Sequence, residues 1–483
     1  MKSYLGQKGY SIYKNTLTVK EQIFIRDELS VSPYVPKSIS SSNNAPSFPI
    51  YRESQNKFYL PRFFGESNFG EISESKLKEP KSIDLEFAGE LRDYQNNIIN
   101  CYMNNIIKGG GLLEIPCGRG KTVMALKIIS NLKVKTLVIV HKGFLMDQWI
   151  ERIEQFLPGA KVGKIQGQEI DIDDKDIVLG MVQSLSTIDY PSYIFEDFGL
   201  TIIDECHHMG AEVFVRSLFK IVTKYVLGLS ATMQRKDGLT KVFKMFLGDV
   251  IYKEKRDDSF DVTVRCYDFI VNDEEFNNTK YDFRGNPAYS SMITKICSYD
   301  KRSDFIIKIV KDLIDSDKER QIIILGHNKN LLTYLFKSIE SNNIATVGYY
   351  VGGMKKEQLK ESEDKQIIIA TYSMAAEGLD IKTLTTLIMA TPKTDVTQSI
   401  GRILRTKHSS PLVVDIVDTH DVFKNQFKKR LKYYQQLNYK IFKSSNIDYN
   451  NFEEIVSNKK KTKKNSKLSN TDNPLMGKCI IKI

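Results

Sequence analysis

Long apolar runs are missing from this sequence. None approaches the roughly 20 residues that a membrane-spanning helix needs, and the opening residues Met1, Lys2, Ser3 and Tyr4 do not begin the apolar core of a signal peptide. No membrane partner is expected, and the chain should stay in the compartment where it is made. Cysteine is scarce as well. The six cysteines, Cys101, Cys117, Cys206, Cys266, Cys297 and Cys479, are scattered, with no Cys-x-x-Cys pair and no Cys/His cluster at zinc spacing. A disulfide scaffold is excluded, and an intracellular setting, cytoplasmic or nuclear, follows. Charge is not strongly one-sided: Lys and Arg number 70 against 59 Asp and Glu, a net +11. Six lysines and no acid fall within residues 457–467, leaving +5 for the rest. That balance fits a polyanionic partner such as nucleic acid without establishing one.

What is present is globular in character. A chain of 483 residues, 41% hydrophobic and 27% charged, can build two or three domains with their own cores. Residues 31–56 are rich in Ser, Pro and Asn, and they precede a Tyr/Phe-rich stretch, Lys57 to Phe69, that reads as a hairpin. From about residue 83 short apolar runs alternate with helix-length segments: GLLEIP from Gly111, TLVIV from Thr136, DIVLGMV from Asp176, LTIID from Leu200 and YVLGLS from Tyr225. Such near-continuous runs suit strands buried on both faces of a parallel sheet. After a more polar interval a second series follows: QIIILG from Gln321, ATVGYYV from Ala345, QIIIA from Gln366, TTLIMA from Thr385 and PLVVDIV from Pro411. The pattern predicts two tandem α/β domains, each a parallel sheet covered by helices, with one large doubly wound sheet as the alternative. The expected division is an N-terminal accessory region (1–82), a first domain (83–255), a linker or insertion (256–299), a second domain (300–445) and a basic tail (446–483), with disorder expected of its low-complexity part beyond residue 456.

Two motifs carry chemistry. Pro116-Cys117-Gly118-Arg119-Gly120-Lys121-Thr122 lies between an apolar run and a helical segment. A strand, a glycine-bearing loop and a helix start direct backbone N–H groups at a phosphate chain, with Lys121 able to reach the β and γ phosphates and Thr122 able to ligate magnesium. Ile115 stands where a further glycine is usual. The second motif, Asp204-Glu205-Cys206-His207, ends the run LTIID. A carboxylate at the carboxyl end of a buried parallel strand can hold the magnesium between phosphates, and Glu205 can then deprotonate an attacking water. Either motif alone also fits an ordinary turn with solvated charges.

Together with a ladder of weaker patterns from about residue 91 to 405, these motifs resemble the superfamily 2 helicases of the DExH kind. The branch is similar to the XPB and UvsW motors and to the transcription-associated helicases of poxviruses and giant viruses. The resemblance implies two RecA-like domains, with ATP and Mg2+ bound between them. In LRDYQ, Gln95 would read adenine; TLVIVHKGFLMDQW, VGKIQGQ and GMVQSLS would touch nucleic acid, through Gln183 and Ser184 in the last. Met181 replaces a frequent threonine there. In LSATMQRKDG, Ser230 and Thr232 would couple hydrolysis to movement, as would His207 and Gln398, and Met233 replaces a proline. In ATYSMAAEGLDI, Thr371 would contact nucleic acid while Gly378 and Asp380 lie near the nucleotide. In QSIGRILRT, Arg402 and Arg405, three apart, would share a helix face and reach the γ-phosphate. The implied function is an ATP-dependent motor on DNA or RNA in viral transcription, including transcript release, or in repair or recombination. A transcription complex is a further expected partner; a viral chain would work in host cytoplasm or virion. The alternatives are a duplex translocase that does not separate strands and a non-catalytic scaffold. Substrate or partner choice is expected in the N-terminal region and the lysine-rich tail.

Overall fold

The computed structural model describes residues 3–33, 47–116, 118–206, 209, 211–233, 238–254, 261–377, 379, 381–404 and 411–455. Cys117, His207, Gly378, Asp380, Arg405 and the lysine-rich segment lie outside the described residues.

All ten apolar runs are strands, and they fall into two separate sheets. The first has the order Glu169–Asp171, Val162–Gln166, Ile177–Met181, Thr136–Val140, Leu200–Ile203, Tyr225–Ser230, Gly110–Glu114, Val250–Lys253. Every pair is parallel except the outermost, Glu169–Asp171 on Val162–Gln166. Strand period explains the two-faced burial. In Thr136–Val140, Leu137 and Ile139 join one core, Val138 and Val140 the other. The second sheet repeats the plan, with Ile322 and Ile324 facing one core and Ile323 and Leu325 facing the other. Its order is Val347–Tyr350, Ile367–Thr371, Gln321–Gly326, Leu384–Met389, Leu412–Asp418, Thr263–Phe269, Lys440–Ser445, Glu453–Glu454.

Three expectations need correction. Residues 256–299, read as a linker or insertion, contain the strand Thr263–Phe269, which pairs in parallel with Leu412–Asp418 and Lys440–Ser445. They also contain the helix Tyr289–Cys297, whose Met292 and Ile296 are core residues. Arg265 and Asp268 interrupt the apolar run and hide the strand from a search for continuous hydrophobicity. At the other end, Glu453–Glu454 pairs antiparallel with Lys440–Ser445, so ordered structure extends past residue 446. Finally, Lys57 to Phe69 is not a hairpin in itself. Lys57–Leu60 is a strand that turns back on Arg52–Glu53, and Arg62–Phe69 is a helix that starts after Pro61.

The N-terminal region forms an antiparallel sheet in the order Ser3–Gly6, Gly9–Tyr13, Lys57–Leu60, Arg52–Glu53. The helix Val19–Glu28 is opened by a capping box, in which Glu21 N donates to Thr18 Oγ1 at 3.2 Å and Thr18 N to Glu21 Oε2 at 2.7 Å. The inner face of the sheet, Tyr10, Ile12, Phe58 and Leu60, merges with a core of the first domain. Gly65 permits that closeness, because a Cβ there would lie 2.2 Å from the Tyr10 ring.

Two buried ion pairs staple the second domain. Asp415 and Asp418 lie three apart on the strand Leu412–Asp418 and so face opposite sides of the sheet. Arg302, on the helix Asp300–Ser316, grips Asp418 with bonds of 2.6 and 2.9 Å, both side chains fully buried. Arg430, on the helix Asp421–Gln436, grips Asp415 at 2.7 and 2.9 Å, and Tyr434 OH adds a third bond at 2.9 Å. The same arginines, with two tyrosines, also hold the segment after Leu384–Met389. Arg302 donates to Ala390 O (2.9 Å), Tyr372 to Thr391 O (2.6 Å), Tyr289 to Pro392 O (3.4 Å) and Arg430 to Lys393 O (2.8 Å).

Candidate nucleotide site

The glycines of the phosphate-loop motif are used as glycines. Gly118 and Gly120 both have φ of 81°, a region that favours residues without a Cβ. Gly120 caps the helix Lys121–Leu132, and a Cβ on it would come within 2.4 Å of Gln95 Nε2. Gln95 therefore reaches the loop directly: it accepts from Arg92 N at 2.9 Å and donates to Arg119 O at 3.2 Å. Tyr94 OH donates to the same carbonyl at 3.2 Å, and its ring lies 3.8 Å beneath the Arg119 guanidinium. Arg119 also pairs with Glu254, beyond the last strand of the sheet. Pro116 and Thr122 flank the loop, each half-buried.

At the carboxyl end of the strand Leu200–Ile203, Asp204 and Glu205 face this loop. Lys121 Nζ lies 2.5 Å from Glu205 Oε1. Glu205 has φ of 47°, a strained conformation for a residue with a long side chain, and such strain clusters at functional sites. Its backbone N–H donates to Asp204 Oδ1 at 3.0 Å, while the indole N–H of Trp149 donates to Asp204 Oδ2 at 2.9 Å. This second bond is what sequence reasoning missed. The only tryptophan closes a segment expected to touch nucleic acid; it packs in a core of the first domain, and its one polar atom is spent on the site carboxylate. Burial, followed by the Glu205 charge, raises the Asp204 carboxyl above its usual range, against the opposing pull of Lys121 and the Trp149 bond. Burial likewise pushes the Cys206 thiol up to about 12, which removes it as a nucleophile.

The raised Asp204 has a consequence for stability. Its ionised form is penalised in the folded state, so at neutral pH it destabilises the fold, and the penalty fades as acid protonates it. Asp204→Asn keeps an acceptor for Trp149 and removes the charge. We expect the variant to melt higher at pH 7.5, by about 1 kcal/mol of added stability, with the advantage shrinking at pH 5. Thermal unfolding without nucleotide at both pH values checks this; a lower midpoint at pH 7.5 contradicts it.

Other predicted residues gather around these. Ser230 Oγ donates to Thr232 O at 2.6 Å and accepts from Thr232 N at 3.2 Å. Ile115 N donates to Ser230 O at 2.8 Å, joining that turn to the strand leading into the loop. The three segments expected to touch nucleic acid also converge. Gln183 Nε2 donates to His141 O at 3.0 Å, and Ser184 Oγ accepts from Gly167 N at 2.9 Å.

In the second domain Thr371 ends the strand Ile367–Thr371, its Oγ1 3.3 Å from Ser373 Oγ. Gln398 lies on the short helix Thr397–Ile400. Arg402 departs from the expected helix face: the helix stops at Ile400, Arg402 sits in the following turn, and its buried guanidinium donates to Leu379 O at 2.8 Å. That bond joins the two motif segments that carry Asp380 and Arg405.

Comparison with known proteins gives the family of the chain. Residues 88–235 match the family described as type III restriction enzyme, res subunit, and residues 306–407 match the helicase conserved C-terminal domain. A protein of Acanthamoeba polyphaga mimivirus named as an ATP-dependent RNA helicase is 37% identical over 461 residues, covering 92% of this chain and 87% of that protein. One of African swine fever virus with the same kind of name is 27% identical over 403 residues, 76% of this chain and 77% of its own. The DNA 3'-5' translocase XPB2 of Sulfurisphaera tokodaii is 25% identical over 368 residues, 68% of this chain and 81% of that protein. The chain therefore belongs to the superfamily 2 helicases of the DExH kind, with the viral and XPB-type members that it matches, and it is an ATP-hydrolysing enzyme.

Proposed function

We propose that ATP turnover at the Lys121, Asp204 and Glu205 cluster drives movement along a nucleic-acid strand, with viral transcripts the favoured track. The carrying observation is the contact of Lys121 with Glu205 at a loop whose glycines, Gly118 and Gly120, both have left-handed φ. Lys121 would move from Glu205 to the incoming phosphates, releasing Glu205 to take a proton from water. Arg402, with Arg405, would face the γ-phosphate from the second domain, while Gly378 and Asp380 would border the nucleotide. Gln95 would read adenine, and Ser230, Thr232, His207 and Gln398 would relay closure. Gln183, Ser184 and Thr371 would meet the strand. Transcripts are favoured because two of the viral relatives bear the name of RNA helicases.

A magnesium ion fits this donor set: a buried carboxylate, Asp204, and a hydroxyl, Thr122, leave the remaining positions to phosphate and water oxygens. The ion supplies charge neutralisation between phosphates. Trp149 orients its carboxylate, so Trp149→Phe should raise the magnesium concentration needed for half-maximal turnover about 10-fold. An unchanged requirement would leave the indole a packing group only.

The function itself is tested by steady-state ATP hydrolysis with single-stranded RNA, single-stranded DNA and duplexes of each, beside strand displacement on the same substrates. Stimulation by RNA with displacement is expected. Stimulation without displacement would favour the duplex translocase, and hydrolysis indifferent to every nucleic acid would overturn the motor.

A further inference from the structure

The N-terminal sheet has a second face, and nothing in the site described above uses it. Register places Tyr4 opposite Ser11, Ser11 opposite Tyr59, and Tyr13 opposite Lys57. By strand alternation these side chains lie on the side away from Tyr10, Ile12, Phe58 and Leu60, which are sunk in the core. Lysines sit on the tyrosines. Lys57 Nζ is 4.5 Å from the Tyr13 ring and 5.1 Å from the Tyr4 ring, and it donates to Tyr4 OH at 3.1 Å. Lys76 Nζ is 4.6 Å from the Tyr4 ring, and Lys8 Nζ is 5.2 Å from the Tyr59 ring. Lys76 has the acid Glu74 at 3.5 Å.

An aromatic ring holds an ammonium in place without cancelling its charge. Three such cations on one face are fixed in position while remaining attractive to anions, so less ordering is required when a phosphate chain arrives. The Tyr4 phenol registers the resulting field. Burial would raise it, yet hydrogen bonds with Lys57 and Ser11 and the nearby Lys57 and Lys76 charges hold it below its usual value. The sheet meets the first domain at the edge opposite to Tyr4. Arg52, on the edge strand of the same sheet, lies 5.0 Å over the Phe219 ring of the first domain and feels the charge of Asp189, shortly after Ser184.

We infer that this tyrosine-seated lysine face, Lys8, Lys57 and Lys76 over Tyr4, Tyr13 and Tyr59, is a second binding surface for the sugar-phosphate backbone of the nucleic-acid substrate. It grips that backbone outside the two motor domains and without reading sequence, since ammonium groups on phosphates carry no base information. The inference rests on nucleic acid being the track of the motor.

The test compares the full chain with its Lys8→Gln/Lys57→Gln/Lys76→Gln variant in binding labelled single-stranded RNA, single-stranded DNA and duplex across a salt series. Taking one ammonium away from a bound phosphate flattens the plot of log affinity against log salt by about 0.7 on a single strand and about 0.9 on a duplex. The triple variant should be flatter by about 2 on single strands, or nearer 3 on a duplex, and whichever strand shows the change identifies the form that the face holds. Hydrolysis without nucleic acid should be unchanged, and Lys57→Arg should keep the wild-type slope. Equal slopes for wild type and variant on every strand would overturn the inference while leaving the motor intact. A wild-type chain that binds no nucleic acid would overturn both.

Discussion

Glu205→Gln is expected to cut ATP turnover by about 10³-fold, within the usual range for removing a general base, while ATP affinity stays within a few-fold of wild type. The amide can still accept from Lys121, which lies 2.5 Å from the carboxylate it replaces, so the loop keeps its shape. What disappears is the capacity to take a proton. Removing the Glu205 charge also withdraws the second cause of the raised Asp204 carboxyl, which favours the ionised form that a cation would need. Lys121→Ala should fail differently. It leaves Asp204 and Glu205 facing each other without their shared ammonium, and ATP affinity should fall together with turnover, because the lysine contributes to binding the phosphates as well as to catalysis. Nucleotide binding can be followed by the fluorescence of Trp149, the only tryptophan, whose indole nitrogen is 2.9 Å from Asp204. Rapid turnover in Glu205→Gln would strip that carboxylate of its assigned role. Normal turnover in Lys121→Ala would do the same for the phosphate loop.

Arg302→Leu should unfold the second domain before the first. The substitution leaves Asp418 charged in a fully buried position and removes the donor to Ala390 O. Breaking such a pair from one side costs about 3–5 kcal/mol, far more than the pair itself contributes. The sign of that asymmetry is itself testable. Arg302→Leu with Asp418→Leu should recover much of the stability, because no orphaned charge remains. Denaturant unfolding should show an early transition in the single variant that moves back in the double one. A single variant as stable as wild type would mean that water reaches Asp418.

The strand framework was legible because the apolar runs, apart from the edge strand Val347–Tyr350 with one face half-buried, are buried on both sides, as the inner strands of a parallel sheet demand. Thr263–Phe269 escaped for the opposite reason: Arg265 and Asp268 break its hydrophobicity, and its place in the sheet is set by strands far along the chain, Leu412–Asp418 and Lys440–Ser445. Lys57–Leu60 was recognisable as a strand, but its pairing depends on a turn whose residues carry no hairpin signature. Within the candidate site, Lys121, Asp204 and Glu205 were visible as motifs because their spacing follows from a strand, a loop and a helix in sequence. Trp149 was not, since its bond to Asp204 spans 55 residues and the sequence shows only a bulky apolar group. Arg402 illustrates the limit of helical spacing. Two arginines three apart share a face only if the helix continues through them, and here it ends at Ile400.

The loop Ala390–Lys393 has a genetic consequence. Its four successive carbonyls are held by side chains from four different helices, those bearing Tyr289, Arg302, Tyr372 and Arg430. The loop leads within a few residues to Gln398 and Arg402, so whatever shifts it displaces them. Substitutions in the helix Asp421–Gln436, remote in sequence from every motif, should therefore appear in a mutational screen as hydrolysis defects. Pairs of them with changes at the other tethers should show epistasis, because all four act on one loop and the loss of one changes what the next can hold.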